Sequence, residues 1–125
     1  MDSMETKNYS TIRLNCSRTA FSQAYMIYHI ATQEVWNSQL QLASYFPTEF
    51  ENEGFIHLST EAQLTGVLQR YYKGREDLLL LTVDETKLTA PLKYEPSTVN
   101  ELYPHLFGGL DKSAVVKVES IPKVE

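Results

Sequence analysis

The seven residues Leu78-Leu79-Leu80-Leu81-Thr82-Val83-Asp84 constrain the fold more than any others in the chain. A continuous apolar run closed by a charge is the pattern of a central strand covered on both faces. It is also the longest apolar stretch, and it falls far short of the roughly 18 residues needed to span a bilayer, so no membrane association is expected. With 125 residues, 42% of them hydrophobic and 22% charged, the chain has material for one packed core and no room for a second of independent size.

The other elements follow from period and punctuation. Tyr25 to Ile30 is rich in aromatic and branched residues and reads as a strand. Thr32 stands where an N-cap belongs, and Val35, Trp36, Leu40 and Ala43 form an apolar stripe at helical spacing. Gly54 to Ser59 reads as a second short strand, followed by the capping-box pattern Thr60-Glu61-Ala62-Gln63. Leu64, Val67, Leu68 and Tyr71 then give a second helix, with Gly74 as its C-cap and with Trp36 and Tyr71 as core anchors. Leu92 to Glu95 alternates and is expected to have one wet face, with Glu95 solvated. Pro104 and the glycine pair Gly108-Gly109 restrict His105-Leu106-Phe107 to a short strand at most. Ala114 to Glu119 closes the chain as a strand. Two early helices followed mostly by strands give an α+β order rather than a regular βαβ alternation.

Residues 1–24 have no sustained period and are rich in Ser, Thr and Asn, which predicts a flexible N-terminal tail ahead of a single domain over 25–125. The tail lacks the apolar centre of a secretory signal. Its single cysteine, Cys16, has no partner for an intramolecular disulfide and no basic neighbourhood to activate it, so a reducing, cytoplasmic location is expected. The formal charge is -5, with no Lys/Arg cluster, and this disfavours a nucleic-acid partner.

Three histidines remain: His29, His57 and His105. By strand alternation Ile27 and His29 point one way while Met26, Tyr28 and Ile30 point the other; in the second strand Phe55, His57 and Ser59 oppose Ile56 and Leu58. If Tyr28, Ile30, Ile56 and Leu58 pack inward, His29 and His57 look out over one polar patch with the hydroxyls of Ser59 and Thr32. Such a patch, beside helix starts, suits an anionic or ribose-bearing ligand. Each histidine taken alone also has a structural reading, as a half-buried ring bonded to a backbone carbonyl. A metal-dependent hydrolase is a further alternative, but no H-x-H or H-x-x-x-H pair places two ligands on one face. Neither a phosphate-cradling glycine loop nor a nucleophile triad motif is present.

Tyr28-His29-Ile30-Ala31-Thr32 with Trp36, Glu53 to Thr60, Tyr71-Tyr72-Lys73-Gly74, Leu78 to Asp84 and Tyr103 to Gly108 together resemble the DUF952 family of small bacterial and plant proteins without an established activity. The resemblance covers about residues 25–120. It implies an ADP-ribosyltransferase-like fold, a split β-sheet that binds NAD in a cleft. A more distant likeness is to the NAD-dependent transfer-RNA phosphotransferases, whose motifs are Tyr-His-Gly-Thr and His-Val-His-Leu-Ser. It implies that His29 bonds the NAD ribose, that Thr32 helps orient it, and that His57 and Ser59 line the NAD and acceptor cleft. His105 and Phe107 belong to the last motif of the resemblance, His105 as a second catalytic candidate beside His57 and Phe107 as a cofactor contact.

The chain also departs from that pattern. Ile30-Ala31 replaces the glycine before the threonine, and Gly54-Phe55 stands where basic residues would grip an RNA phosphate. Later glutamates that could support ribosyl transfer, Glu95 and Glu101, match no motif. The resulting expectation is a small-nucleotide site, with NAD as the cofactor and ADP-ribosyl or phosphate transfer as the chemistry. The alternative is a ligand-binding or interaction module without catalysis.

Overall fold

The computed structural model describes residues 2–5, 8–9, 25–97 and 100–125. In chain order the strands are β1 (Asp2–Glu5), β2 (Asn8–Tyr9), β3 (Met26–Thr32), β4 (Ser44–Tyr45), β5 (Ile56–His57), β6 (Leu78–Asp84), β7 (Leu92–Pro96), β8 (Leu102–Leu106), β9 (Leu110–Asp111) and β10 (Val115–Ser120). Three short helices, α1 (Gln33–Ser38), α2 (Phe50–Glu53) and α3 (Leu64–Tyr71), complete an α+β architecture of small antiparallel sheets. Of the expected tail, β1 and β2 pair with each other, and the rest, Cys16 included, lies outside the described residues.

The apolar run is the middle strand of a sheet ordered β10-β6-β3. Its alternate side chains face two different cores, which is why it could tolerate no polar residue in its first four positions. Leu79, Leu81 and Val83 join Ile27, Ala31, Trp36 and Tyr45 in the larger cluster. Leu78 and Leu80 turn to the opposite face, where Ile30, Val124 and the α3 residues Leu64, Val67 and Leu68 cover them. The chain end is tied into this second layer, because Gly74 N–H donates to the Val124 carbonyl and Val124 N–H to that of Arg75.

The second three-stranded sheet is ordered β5-β8-β7. Its register sets His57 opposite His105, and His105 opposite Lys93 on the other side. One segment ties the two sheets together: Tyr28 and Ser59 exchange both backbone hydrogen bonds at 2.8 Å, and Leu58 N–H donates to the Pro104 carbonyl at 3.0 Å. A two-stranded pair of β4 and β9 packs Tyr45 and Leu110 into the larger core. Among the described residues no helix is long and apolar enough to cross a membrane.

Three expectations change. Strand β3 is buried on both faces, because α3 covers one side and the main core the other, so His29 lies inside the molecule beside Ile27 and Ala31 rather than on a wet face. Helix α3 ends at Tyr71, before the glycine expected to cap it, and Tyr71 in its last turn is 63% exposed instead of anchoring the core. Pro104 lies inside β8, a five-residue strand at the centre of its sheet. It stands just beyond the two-residue ladder of β5: its carbonyl accepts from Leu58, and it has no N–H to return that bond.

Candidate binding cleft

A cleft of about 570 Å³ opens between α3 and the face of the second sheet that carries the histidines. His57, Tyr103 and His105 form one wall, Val67, Arg70 and Tyr71 the other, while His29, Glu49 and Glu53 also line it.

His29 arrives on β3, opposite Leu81 of the central strand, and is 3% exposed. Its Nδ1 lies 2.7 Å from the backbone oxygen of His57. A carbonyl oxygen only accepts, so Nδ1 carries the proton. Burial holds the imidazole below its usual pKa, outweighing the opposing effects of that hydrogen bond and of the Glu49 charge. The neutral ring therefore keeps a lone pair on Nε2. That atom is buried and has no hydrogen-bond partner among the described residues. Leaving a buried acceptor unpaired costs about 1–3 kcal/mol, and His29 is one of the residues that line the cleft.

His57 stands at the rim, its side chain 52% exposed. Helix α2 closes with Gly54 at φ 81, a left-handed cap that favours glycine, and the turn leaves the Glu53 carboxylate beside the ring. The His57 Nε2 to Glu53 Oε1 distance is 2.5 Å. His105 is held in the same way: its Nδ1 is 2.8 Å from Glu95 Oε1. Glu95 is thus engaged with a histidine, against the expectation of a merely solvated strand residue. The His105 ring, 8% exposed, stacks on Phe55 with centroids 4.2 Å apart and planes at 22°. The His57 and His105 centroids are 5.2 Å apart. Alongside, Arg70 Nη2 donates to the Tyr103 hydroxyl at 2.8 Å. Gly66, one turn earlier on α3, leaves room for that guanidinium, since a Cβ there would lie 3.0 Å from Arg70 Nη1.

The structure thus brings His29, His57, Ser59 and His105 to one cleft. It does not bring Thr32, whose hydroxyl accepts the Val35 N–H at 3.3 Å and caps α1. Phe107 packs against Phe55, with ring centroids 5.3 Å apart, has Lys93 Nζ 5.2 Å from its own centroid, and is not a lining residue. Sequence reasoning passed over Glu53, Phe55, Arg70 and Tyr103. Alternation did place Phe55 on the His57 face, but Glu53 reaches His57 only because α2 ends where it does. Among the described residues no group of three or more His, Cys, Asp or Glu side chains is arranged to hold a metal ion.

No curated protein matches the chain. Three solved structures of one bacterial protein, CC0527 from Caulobacter crescentus, are similar to it. The crystal structure shares 26% identity, covering 78% of this chain and 93% of that one, with a TM-score of 0.69. A double mutant of that protein gives 25% identity, the same coverage and a TM-score of 0.69. Its solution NMR structure gives 27% identity over 78% of this chain and 85% of that one, with a TM-score of 0.68. The family model described as "Protein of unknown function (DUF952)" matches residues 30–118, which include all of the cleft-lining histidines except His29, and the chain therefore belongs to the DUF952 family.

Proposed function

We propose that the cleft binds a ribose-bearing nucleotide, NAD or a close relative, with His29 Nε2 accepting a hydrogen bond from a ribose hydroxyl. The observation that carries this reading is the buried, unpaired lone pair of His29, a residue that lines the cleft. A hydroxyl or N–H donor satisfies it; a carboxylate or a phosphate oxygen does not. The exposed ring of Tyr71 offers a stacking face for a base, and Arg70 a charge for a diphosphate. Two antiparallel sheets that meet at the Tyr28–Ser59 pairing are consistent with the split sheet of ADP-ribosyltransferase-like folds, and we infer that architecture here.

Glu49 and Glu53 beside the site, on a chain of net charge -5, favour a free nucleotide over an RNA strand. With one cysteine in the chain, we place the protein in the reducing cytoplasm.

The test is an NMR titration with NAD and with ADP-ribose, following the three imidazoles. The His29 resonances are expected to move first and furthest. Silence of all three at millimolar ligand eliminates the reading. Turnover of NAD, abolished in a folded His29→Ala variant, would establish a transferase, and binding without turnover a nucleotide-binding module.

A further inference from the structure

We infer that His57 and His105 form a proton-transfer couple for hydrolysis of a ribonucleotide phosphodiester in the cleft; the inference deepens the nucleotide reading and rests on it only for the ribose anchor. The two rings meet edge to face across adjacent strands, with planes at 79° and centroids 5.2 Å apart, and each is held by its own carboxylate. A carboxylate oxygen accepts, so His57 carries a proton on Nε2 and His105 on Nδ1. The nitrogens not engaged by these carboxylates are then Nδ1 of His57 and Nε2 of His105, one per ring. Two imidazoles fixed side by side, each with one nitrogen spare, are what a reaction needs when one oxygen must lose a proton while another gains one.

Exposure divides the roles. His57, half exposed at the mouth, meets water; His105, buried and stacked on Phe55, meets the part of the substrate that lies deeper. The water O–H bond breaks and its proton passes to His57 Nδ1 as the new P–O bond forms. The P–O bond to the leaving oxygen breaks with its electron pair, and that oxygen takes the proton held on Nε2 of protonated His105. Diester and water become monoester and alcohol, and exchange with solvent resets both rings. Arg70 is the one cation among the described lining residues, alongside Glu49 and Glu53. One guanidinium matches the single negative charge of a diester better than the double charge of a monoester. Glu53 and Glu95 are positioning residues, and Lys93 lies opposite His105 in the register.

Adenosine 2′,3′-cyclic phosphate is the probe, with ring opening followed by phosphorus NMR. The wild type is expected to open the ring. His57→Ala and His105→Gln are each expected to lower kcat by about a hundredfold or more. Glutamine keeps a polar planar group against Phe55, so loss of activity without loss of fold is readable there. Added imidazole is expected to restore part of the His57→Ala rate, because that site is open. Glu95→Gln should lower kcat with KM unchanged. No ring opening by the wild type, or unchanged turnover in both histidine variants, overturns the inference. The His29 resonance is followed in the same samples. If it moves without turnover, the couple is refuted and the nucleotide reading stands; if turnover occurs without that movement, the ribose anchor is refuted and the couple stands.

Discussion

Replacing His29 by glutamine removes a titrating ring while keeping an amide that can donate to the His57 carbonyl. Burial places the folded-state pKa of His29 below the unfolded value of 6.5. Between those two values the unfolded chain binds a proton that the folded protein refuses, so stability rises with pH there. The contribution of His29 is therefore complete above the unfolded value and is lost as pH falls through 6.5 toward the folded pKa. In that window the slope is about 1.4 kcal/mol per pH unit, fully expressed once the unfolded ring is protonated. For a domain of this size with a urea m-value of about 1.4 kcal/mol per M, that slope is about 1 M in unfolding midpoint per pH unit.

The measurement is urea unfolding of wild type and His29→Gln at several values from about pH 7.5 down to about pH 5, with the difference between the two curves as the readout. Carboxylates common to both proteins cancel in that difference. The variant also loses ring packing against Tyr45, whose centroid is 5.6 Å away, and this sets a pH-independent offset of about 1–3 kcal/mol. The gap between the curves should be widest at neutral pH and narrow as acid is added. A gap that stays constant with pH would falsify the account of His29 as a ring held neutral by burial.

Three further perturbations have expected outcomes. Thr32→Ala, which deletes the α1 cap, should cost about 1 kcal/mol in chemical denaturation and leave nucleotide affinity unchanged; a selective loss of affinity would restore Thr32 to the site. Gly108→Ala would put a Cβ 2.6 Å from that of Ala90, and overpacking of this kind costs about 1–3 kcal/mol, read as a lowered melting temperature. Tyr71→Ala should change stability by less than about 0.5 kcal/mol, since the ring is mostly exposed, yet weaken nucleotide binding; a large stability loss would return Tyr71 to the core.

The central strand was readable because an uninterrupted apolar run has few alternatives, and β6 occupies Leu78–Asp84 as its pattern requires. The capping box at Thr60 was equally plain: Thr60 N–H donates to Gln63 Oε1 at 3.0 Å. Both are local signals. Alternation also grouped His57 with Phe55 and Ser59, and the structure puts all three on the cleft. What alternation cannot report is which face a distant element covers. Alternation puts His29 on the correct side of its strand but not in its buried environment, because α3 covers the opposite face and the larger core closes over its own. Tyr71 fell on an apolar stripe, but α3 is only eight residues long and its last turn carries the ring out over the cleft. The pairing of Glu53 with His57 depends on a helix stopping at Gly54, and that of Glu95 with His105 on the register of two strands ten residues apart.

The link between the sheets bears on how a ligand is received. His29 stands on one sheet, and His57 and His105 on the other, so the width of the cleft is the separation of two bodies. Three hydrogen bonds cross that gap within two residues of each other: the Tyr28–Ser59 pair and the bond from the His29 ring to the His57 backbone. They clamp the jaw at its root, and a guest then has little chain to order on arrival. Most of the free energy of its contacts is left to appear as affinity rather than being spent on closing the protein around it.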